Sequence, residues 1–237
     1  MPKPLLLLQV GHTFEEIARE RGDYDVWFQQ ALGLPDRAFV ALRVFDGAPL
    51  PDAFDYRGIV VSGSWSMVTD REPWSEASAA YLTGAAARGV PILGVCYGHQ
   101  LLAHAFGGKV GYNPFGRHAG SVRVLTTVEA QGDPLFGPLP RELVVQVSHS
   151  QSVLELPAGA VLLARTARDP HHAFRLGTSS WGVQFHPEFD EEVSRRYIAL
   201  RRDRILSEGL DPDALMAAAL ASPHGAQLLR RFAELTA

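Results

Sequence analysis

Residues 90–100 read VPILGVCYGHQ, a short apolar run that meets a helical pattern across a single turn. The segment from Gly94 to Gly98 is a G-x-C-x-G sequence, typical of a nucleophile elbow with sulfur in place of oxygen. Small residues flank the central position because the backbone there is strained between strand and helix. A lone cysteine is more often a buried apolar residue, but these glycines predict that Cys96 presents its thiol at a helix N-terminus. The helix dipole there favours the thiolate.

The rest of the chain surrounds this turn with strand-like and helical segments. Apolar strand-like runs cover 5–10, 39–45, 57–62 and 90–95, and helical patterns cover 14–32 and 74–87. This alternation predicts an α/β fold with a mostly parallel sheet and flanking helices. Shorter strand candidates follow at 121–128, 143–147, 160–167, 172–176 and 181–185, and helical patterns resume at about 190. We therefore expect one domain over 1–190, with 191–237 as a helical C-terminal extension of the same domain.

Composition argues against several classes of protein. The formal net charge of −4 and the pI of about 6.1 disfavour nucleic acid as a partner. The apolar run at 5–8 is too short to span a membrane or act as a signal, so we expect a cytoplasmic protein without a membrane partner. A single cysteine leaves no pair for a disulfide or a paired-thiol zinc site.

Cofactor motifs are absent from the sequence as well. It holds no G-x-G-x-x-G loop, phosphate loop or H-E-x-x-H helix. His171 and His172 are adjacent, so on a strand they would face opposite ways, and a solvated loop pair is the expected interpretation. We predict neither a cofactor nor a metal site.

A thiolate nucleophile needs a base, and His186-Pro187-Glu188 provides one at the end of the strand candidate 181–185. Residues two apart in an extended chain point the same way, so Glu188 can lie beside His186 and fix its orientation. Pro187 keeps His186 extended. Taken alone, these three residues could equally be a strand-to-helix turn, but together with the elbow they predict a Cys-His-Glu triad.

The segments GVCYGHQ (94–100) and HPE (186–188) together resemble the class I glutamine amidotransferases. The resemblance implies a flavodoxin-like fold, with Cys96 as the nucleophile that forms a γ-glutamyl thioester, His186 as general acid/base and Glu188 orienting it. It implies an oxyanion hole from the backbone N–H of Tyr97 and one from Gly63 or Ser64. It also implies that substrate is held by Gln100 and by the loop Ser148, His149 and Ser150.

The resemblance leaves the substrate and the partner open. Two turns depart from the common family pattern, Ser62-Gly63-Ser64-Trp65 and Ser148-His149-Ser150-Gln151. His118 stands where many relatives have glutamate, and a surface loop residue is also acceptable at this position. The leading hypothesis is a stand-alone enzyme, resembling the glutaminase part of GMP synthetase, that hydrolyses L-glutamine and supplies ammonia to a synthetase or other acceptor on another chain. A γ-glutamyl peptide hydrolase with the same triad and a non-catalytic regulator are the alternatives.

A cluster of arginines follows the triad in sequence. A solvated helix face is the favoured interpretation of this cluster, and contact with a partner protein is the alternative. The cluster comprises Arg195, Arg196, Arg201, Arg202 and Arg204.

Overall fold

In the computed structural model, which describes residues 2–237, strands and helices alternate over the first part of the chain. The strands are β1 (Leu5–Gln9), β2 (Phe39–Arg43), β3 (Gly58–Val61), β4 (Ile92–Val95), β5 (Lys109–Tyr112), β6 (His118–Thr126), β7 (Glu142–His149), β8 (Gln151–Glu155), β9 (Val161–Arg165), β10 (Ala173–Leu176) and β11 (Ser180–Val183). The helices are α1 (Glu15–Arg21), α2 (Tyr24–Leu32), α3 (Pro73–Ala87), α4 (Tyr97–Ala105), α5 (Glu191–Leu200), α6 (Arg202–Ser207), α7 (Pro212–Ala217) and α8 (Pro223–Leu235). Short 3₁₀ turns occupy several connections.

A nine-stranded mixed sheet, in the order β2-β1-β3-β4-β11-β10-β9-β6-β7, forms the centre of the fold. The five strands from β2 to β11 are parallel, and the remaining four continue the sheet with antiparallel pairings. Strands β3, β4 and β11 are neighbours, so their carboxyl ends meet at one edge. That edge is where ligands bind in open α/β sheets.

Side chains of the parallel strands alternate between two cores, as strand geometry requires. Leu5 and Leu7 of β1 pack in one cluster with side chains of α2 and α8, whereas Leu6 and Leu8 pack in the other with side chains of α3 and α4. Because helices cover both faces, the central strands β1, β3 and β4 are buried and, apart from Gln9, carry no polar side chain. The predicted layering of helices on both faces of the sheet is thus observed.

The predicted helix over 14–32 is wrong as a single element, because the chain breaks between α1 and α2. Gly22 has φ of +79°, which favours glycine. Asp23 then caps α2: its Oδ1 accepts hydrogen bonds from the N–H groups of Tyr24 and Thr13, both at 2.8 Å. The cap satisfies the first amide of α2 and ties the start of α2 to the segment before α1.

The second half of the sequence holds two strands that the pattern did not predict. Strands β5 and β8 pair antiparallel as a separate two-stranded sheet. Each is short, and Gly111 interrupts the apolar run of β5, so tertiary pairing decides their conformation. Strand β6 also begins at His118, three residues before the predicted start, because its pairing with β7 extends from His118 opposite His149.

The C-terminal helices pack against the rest of the chain. Leu228, Leu229 and Phe232 of α8 are fully buried in the core cluster that holds β1. A Cβ at Gly225 would lie 2.6 Å from the backbone oxygen of Pro187, so α8 approaches the HPE segment closely. The described residues 2–237 include no helix that is both long and apolar enough to cross a membrane.

Candidate active site

The elbow at Cys96 has the strained backbone that its sequence predicts. Cys96 lies between β4 and α4 with φ of +51° and ψ of −98°, a conformation that side chains other than glycine rarely adopt. A Cβ at Gly94 would lie 2.3 Å from the Gly98 oxygen, and one at Gly98 would lie 2.5 Å from the Val61 oxygen. Both glycines are therefore required for the close approach of strand, turn and helix.

His186 and Glu188 form a buried pair beside the elbow. The Nδ1 of His186 lies 2.7 Å from the Oε1 of Glu188, and the two side chains are 4% and 0% exposed. The His186 ring stacks on Phe189 with centroids 4.1 Å apart. Its backbone N–H donates to the Gln146 oxygen at 2.8 Å. These contacts fix the position of the imidazole, and with Nδ1 occupied by Glu188 the other ring nitrogen is left for proton transfer.

The electrostatics favour a charged imidazole. Burial by itself lowers the pKa of His186, but the Glu188 carboxylate and the Cys96 sulfur outweigh that effect and raise this pKa to about 10. The direction is that of an imidazole whose charged form is stabilised by a neighbouring carboxylate.

The turn after β3 carries the two predicted amide donors, Gly63 and Ser64. The Ser62 hydroxyl accepts from the Val10 N–H and donates to the Gly63 oxygen, both at 3.0 Å, so that carbonyl is held. In a trans peptide the N–H of Ser64 points opposite to the Gly63 carbonyl. Within residues 2–237 the N–H groups of Gly63, Ser64 and Tyr97 all donate no hydrogen bond, but of these three residues only Ser64 and Tyr97 line the same cavity as Cys96. The geometry favours Ser64 over Gly63 as the second donor.

Gly63 has a different role in this arrangement. A Cβ there would lie 2.7 Å from the Cε1 of His186, closer than ordinary van der Waals contact. Gly63 thus provides the space that the imidazole occupies. Any side chain at this position would displace the ring.

A cavity of about 230 Å³ opens over the thiol of Cys96. Four residues predicted to bind substrate, Gln100, Ser148, His149 and Ser150, all line it. The side-chain oxygens of Ser150 and Gln151 are buried in the described structure without a hydrogen-bond partner, which leaves them free for a ligand. The four residues predicted to bind substrate thus share one wall region beside the thiol, although their role remains a prediction.

The amide nitrogen of Gln100 is already engaged. Its Nε2 donates to the Gln151 backbone oxygen at 2.7 Å and to the Gln184 Oε1 at 3.0 Å. These bonds tie α4 to the start of β8 and orient the Gln100 side chain at the cavity wall. Gln100 can therefore offer its carbonyl oxygen to a substrate, while its amino group holds the wall together.

Behind His149 lies a buried polar cluster that the sequence interpretation missed. The cluster consists of His118, His149, Asp169 and His172, each less than 9% exposed, with the His149 Nε2 3.2 Å and the His172 Nδ1 3.6 Å from the Asp169 Oδ2. The interpretation of His118 as a surface loop residue is therefore wrong, because this residue lies in β6 and its side chain is buried. The solvated pair expected at 171–172 is also wrong for His172, which is fully buried. Across the described ranges no three His, Cys, Asp or Glu side chains are arranged to hold a metal ion.

Two arginines also line the cavity, and neither was predicted to do so. Arg117 is paired with Glu208, and Arg201 donates from Nη1 to the Ser148 hydroxyl at 3.0 Å. Arg201 contradicts the interpretation of its cluster as a solvated face, because α5 ends at Leu200 and the chain turns there. The neighbouring Arg202 fits that interpretation, since it forms an exposed ion pair with Asp213.

Comparison with known proteins agrees with this geometry. A sequence model described as "Glutamine amidotransferase class-I" matches residues 43–201. The chain belongs to the class I glutamine amidotransferase family. The family and the α/β fold class predicted from the sequence are both confirmed. The prediction that the chain is an enzyme is confirmed as well.

Individual relatives of this amidotransferase differ in how much they cover. Gamma-glutamyl peptidase 5 of Arabidopsis thaliana is 30% identical over 194 residues, which is 80% of this chain and 76% of the relative. A glutamine-hydrolysing GMP synthase subunit from Thermococcus kodakarensis is 47% identical over 100 residues, which is 42% of this chain and 51% of the relative. Longer GMP synthases are matched over only 18% to 26% of their length.

The fold is shared with solved amidotransferases. A glutamine amidotransferase from Thermotoga maritima superimposes with a TM-score of 0.75, over 100% of this chain and 99% of that one. The sequence identity is 21%, so the likeness establishes a shared fold and not a shared function.

Proposed function

We propose that this enzyme hydrolyses the side-chain amide of glutamine through a γ-glutamyl thioester on Cys96. The observation that carries the proposal is the meeting of an elbow cysteine with a buried His186–Glu188 pair at the ends of β4 and β11. A thiol, an imidazole and an orienting carboxylate are the groups that nucleophilic hydrolysis of an amide requires. The same arrangement disfavours a non-catalytic regulator.

The first half-reaction forms the thioester. The raised pKa of His186 keeps its ring protonated, and the nucleophile in this scheme is the Cys96 thiolate, the reactive form of a cysteine. The sulfur attacks the γ-carbonyl carbon, and the developing oxyanion accepts hydrogen bonds from the N–H groups of Tyr97 and Ser64. His186 then gives its proton to the leaving nitrogen, the C–N bond breaks and ammonia departs.

The second half-reaction regenerates the enzyme. A water molecule attacks the thioester carbonyl carbon while His186 accepts one of its protons. The C–S bond breaks, which returns the thiolate and the imidazolium and releases glutamate. Glu188 stabilises the imidazolium at both ends of the cycle and holds Nδ1 in place.

We propose that the ammonia is used by an acceptor enzyme on another chain. The Thermococcus kodakarensis relative is named as one subunit of a GMP synthase, which supports an arrangement of separate chains. The predicted substrate contacts at Gln100, Ser148, His149 and Ser150 would hold the glutamyl group in the cavity.

Hydrolysis of γ-glutamyl peptides is the second candidate function. The Arabidopsis thaliana relative, matched over 80% of this chain and 76% of its own length, is named as a gamma-glutamyl peptidase. The loop 148–151 reads SHSQ, with Gln151 in place of an acidic residue common in the family. The same thioester would form, but an amino acid or peptide amine would leave in place of ammonia.

The deciding experiment is steady-state release of glutamate from L-glutamine and from a panel of γ-glutamyl peptides, with Cys96→Ala as the control. Turnover of glutamine alone supports the leading proposal, and preference for the peptides selects the second candidate. Undiminished turnover by Cys96→Ala would overturn both.

A further inference from the structure

Arg201 is a partly buried cation with no anionic partner. Its Nη1 donates to the neutral Ser148 hydroxyl at 3.0 Å, and within residues 2–237 no carboxylate oxygen lies within 4.0 Å of its guanidinium nitrogens. Arg117, which lines the same cavity, differs in this respect because Glu208 neutralises it. The cavity above Cys96 therefore contains a guanidinium that forms no ion pair with the described residues.

The surroundings of Arg201 position its guanidinium without using up its donors. Its Cζ lies 5.4 Å from the ring centroid of Phe14, 5.0 Å from that of Trp65 and 5.5 Å from that of Tyr197. Aromatic faces attract a cation, but they accept no hydrogen bond in the plane of the guanidinium. Burial lowers the pKa of Arg201, and the Arg117 charge adds to that effect, while Tyr24, Tyr197 and Cys96 oppose it without reversing it. Both shifts are those of a cation that an incoming anion would stabilise.

The rigid fork of a guanidinium matches a carboxylate in two parallel hydrogen bonds. Every γ-glutamyl amide carries a carboxylate on its α-carbon, and γ-glutamyl amino acids carry a second one on the leaving group. We propose that Arg201 binds a carboxylate of the γ-glutamyl substrate and so determines which amides reach Cys96. This inference rests on the proposed function and adds to it a requirement that the substrate carry a carboxylate group.

The test compares Arg201→Gln and Arg201→Lys with Arg202→Gln, the neighbouring arginine on an exposed ion pair. Loss of a charge-assisted pair of hydrogen bonds should raise KM about 10- to 100-fold in Arg201→Gln, with kcat changed much less. Arg201→Lys should keep part of the affinity because it retains the charge but not the fork. Arg202→Gln should match the wild type.

The choice of substrates identifies the carboxylate. If it is the α-carboxylate, Arg201→Gln loses affinity for L-glutamine, γ-glutamylglycine and γ-glutamylmethylamide alike, whereas 4-aminobutanamide, which lacks that group, is turned over equally by variant and wild type. If it is on the leaving group, only γ-glutamylglycine is affected. Equal KM values for every substrate in Arg201→Gln and wild type would overturn the inference.

A binding measurement separates this inference from the proposed function. Under the proposed mechanism Cys96→Ala does not turn over γ-glutamylglycine, so calorimetry can measure how tightly this peptide binds. The comparison is between Cys96→Ala and Cys96→Ala/Arg201→Gln. A Kd that rises about 10- to 100-fold on loss of the guanidinium supports the binding of a substrate carboxylate by Arg201, the Arg201 anchor. If the same rise is seen but the wild type hydrolyses nothing, only the proposed function fails. Near-ultraviolet circular dichroism of Arg201→Gln checks that the Trp65 and Tyr197 packing persists, and an unchanged Kd overturns the anchor.

Discussion

Gly63→Ala should lower the rate of the enzyme without unfolding it, because Gly63 makes room for His186. The added Cβ would lie 2.7 Å from the His186 Cε1, whereas ordinary contact begins at 3.4 Å, so the ring must shift by the difference, about 0.7 Å. The Glu188 hydrogen bond and the Phe189 stack oppose that shift. Misplacement of a reacting group by about 1 Å costs roughly 10²-fold in rate, and we expect a loss of kcat of that order.

The assay is steady-state glutamate release, with thermal unfolding measured in parallel. Gly84→Ala is the matched control, because a Cβ at Gly84 meets nothing within 4 Å and should leave kcat unchanged. The backbone of Gly63 is not in the left-handed region, so alanine there adds no torsional strain. A Gly63→Ala enzyme with wild-type kcat would refute the placement of His186 against this turn.

Three further predictions follow from the same geometry. Glu188→Gln should lower kcat by about 10² to 10⁴-fold while the fold persists, because the amide still fills the site but no longer stabilises the imidazolium; an unchanged pH–rate profile would argue against this role. Gly94→Ala should greatly reduce soluble, folded protein, since its Cβ would lie 2.3 Å from the Gly98 oxygen, and a Tm equal to that of the wild type would contradict the close packing. His118→Gln should make stability less sensitive to acid. Burial lowers the pKa of His118 from 6.5 to about 3. Below about pH 6.5 the unfolded chain therefore binds a proton that the folded chain excludes. As a result the free energy of unfolding falls by up to about 1.4 kcal/mol for each pH unit. Urea unfolding near pH 7 and near pH 5, with the exposed His12→Gln as control, should show the smaller loss in His118→Gln alone.

The elbow and the HPE segment were predictable because their chemistry is local. Gly94, Cys96 and Gly98 occupy one turn, and His186 and Glu188 are two residues apart on an extended chain. Strand-helix alternation likewise follows from short-range apolar patterns. Each of these features depends on neighbours in sequence, which a single sequence displays directly.

The features that sequence could not predict depend on distant partners. His118 meets His149 and Asp169 only because β6 pairs with β7 and the loop before β10 folds beneath them. Arg201 reaches the cavity because the helix breaks after Leu200, although its neighbours in the sequence are exposed arginines. No periodicity distinguishes Arg201 from Arg202, and only tertiary packing does.

The central claim is that Cys96 forms the covalent intermediate, and the most direct test is rapid acid quenching of the enzyme during turnover of L-glutamine, followed by peptide mass spectrometry. The mechanism predicts a γ-glutamyl adduct on the peptide that contains Cys96, absent from Cys96→Ala together with all turnover. An adduct on any other residue, or glutamate release by Cys96→Ala at the wild-type rate, would contradict it.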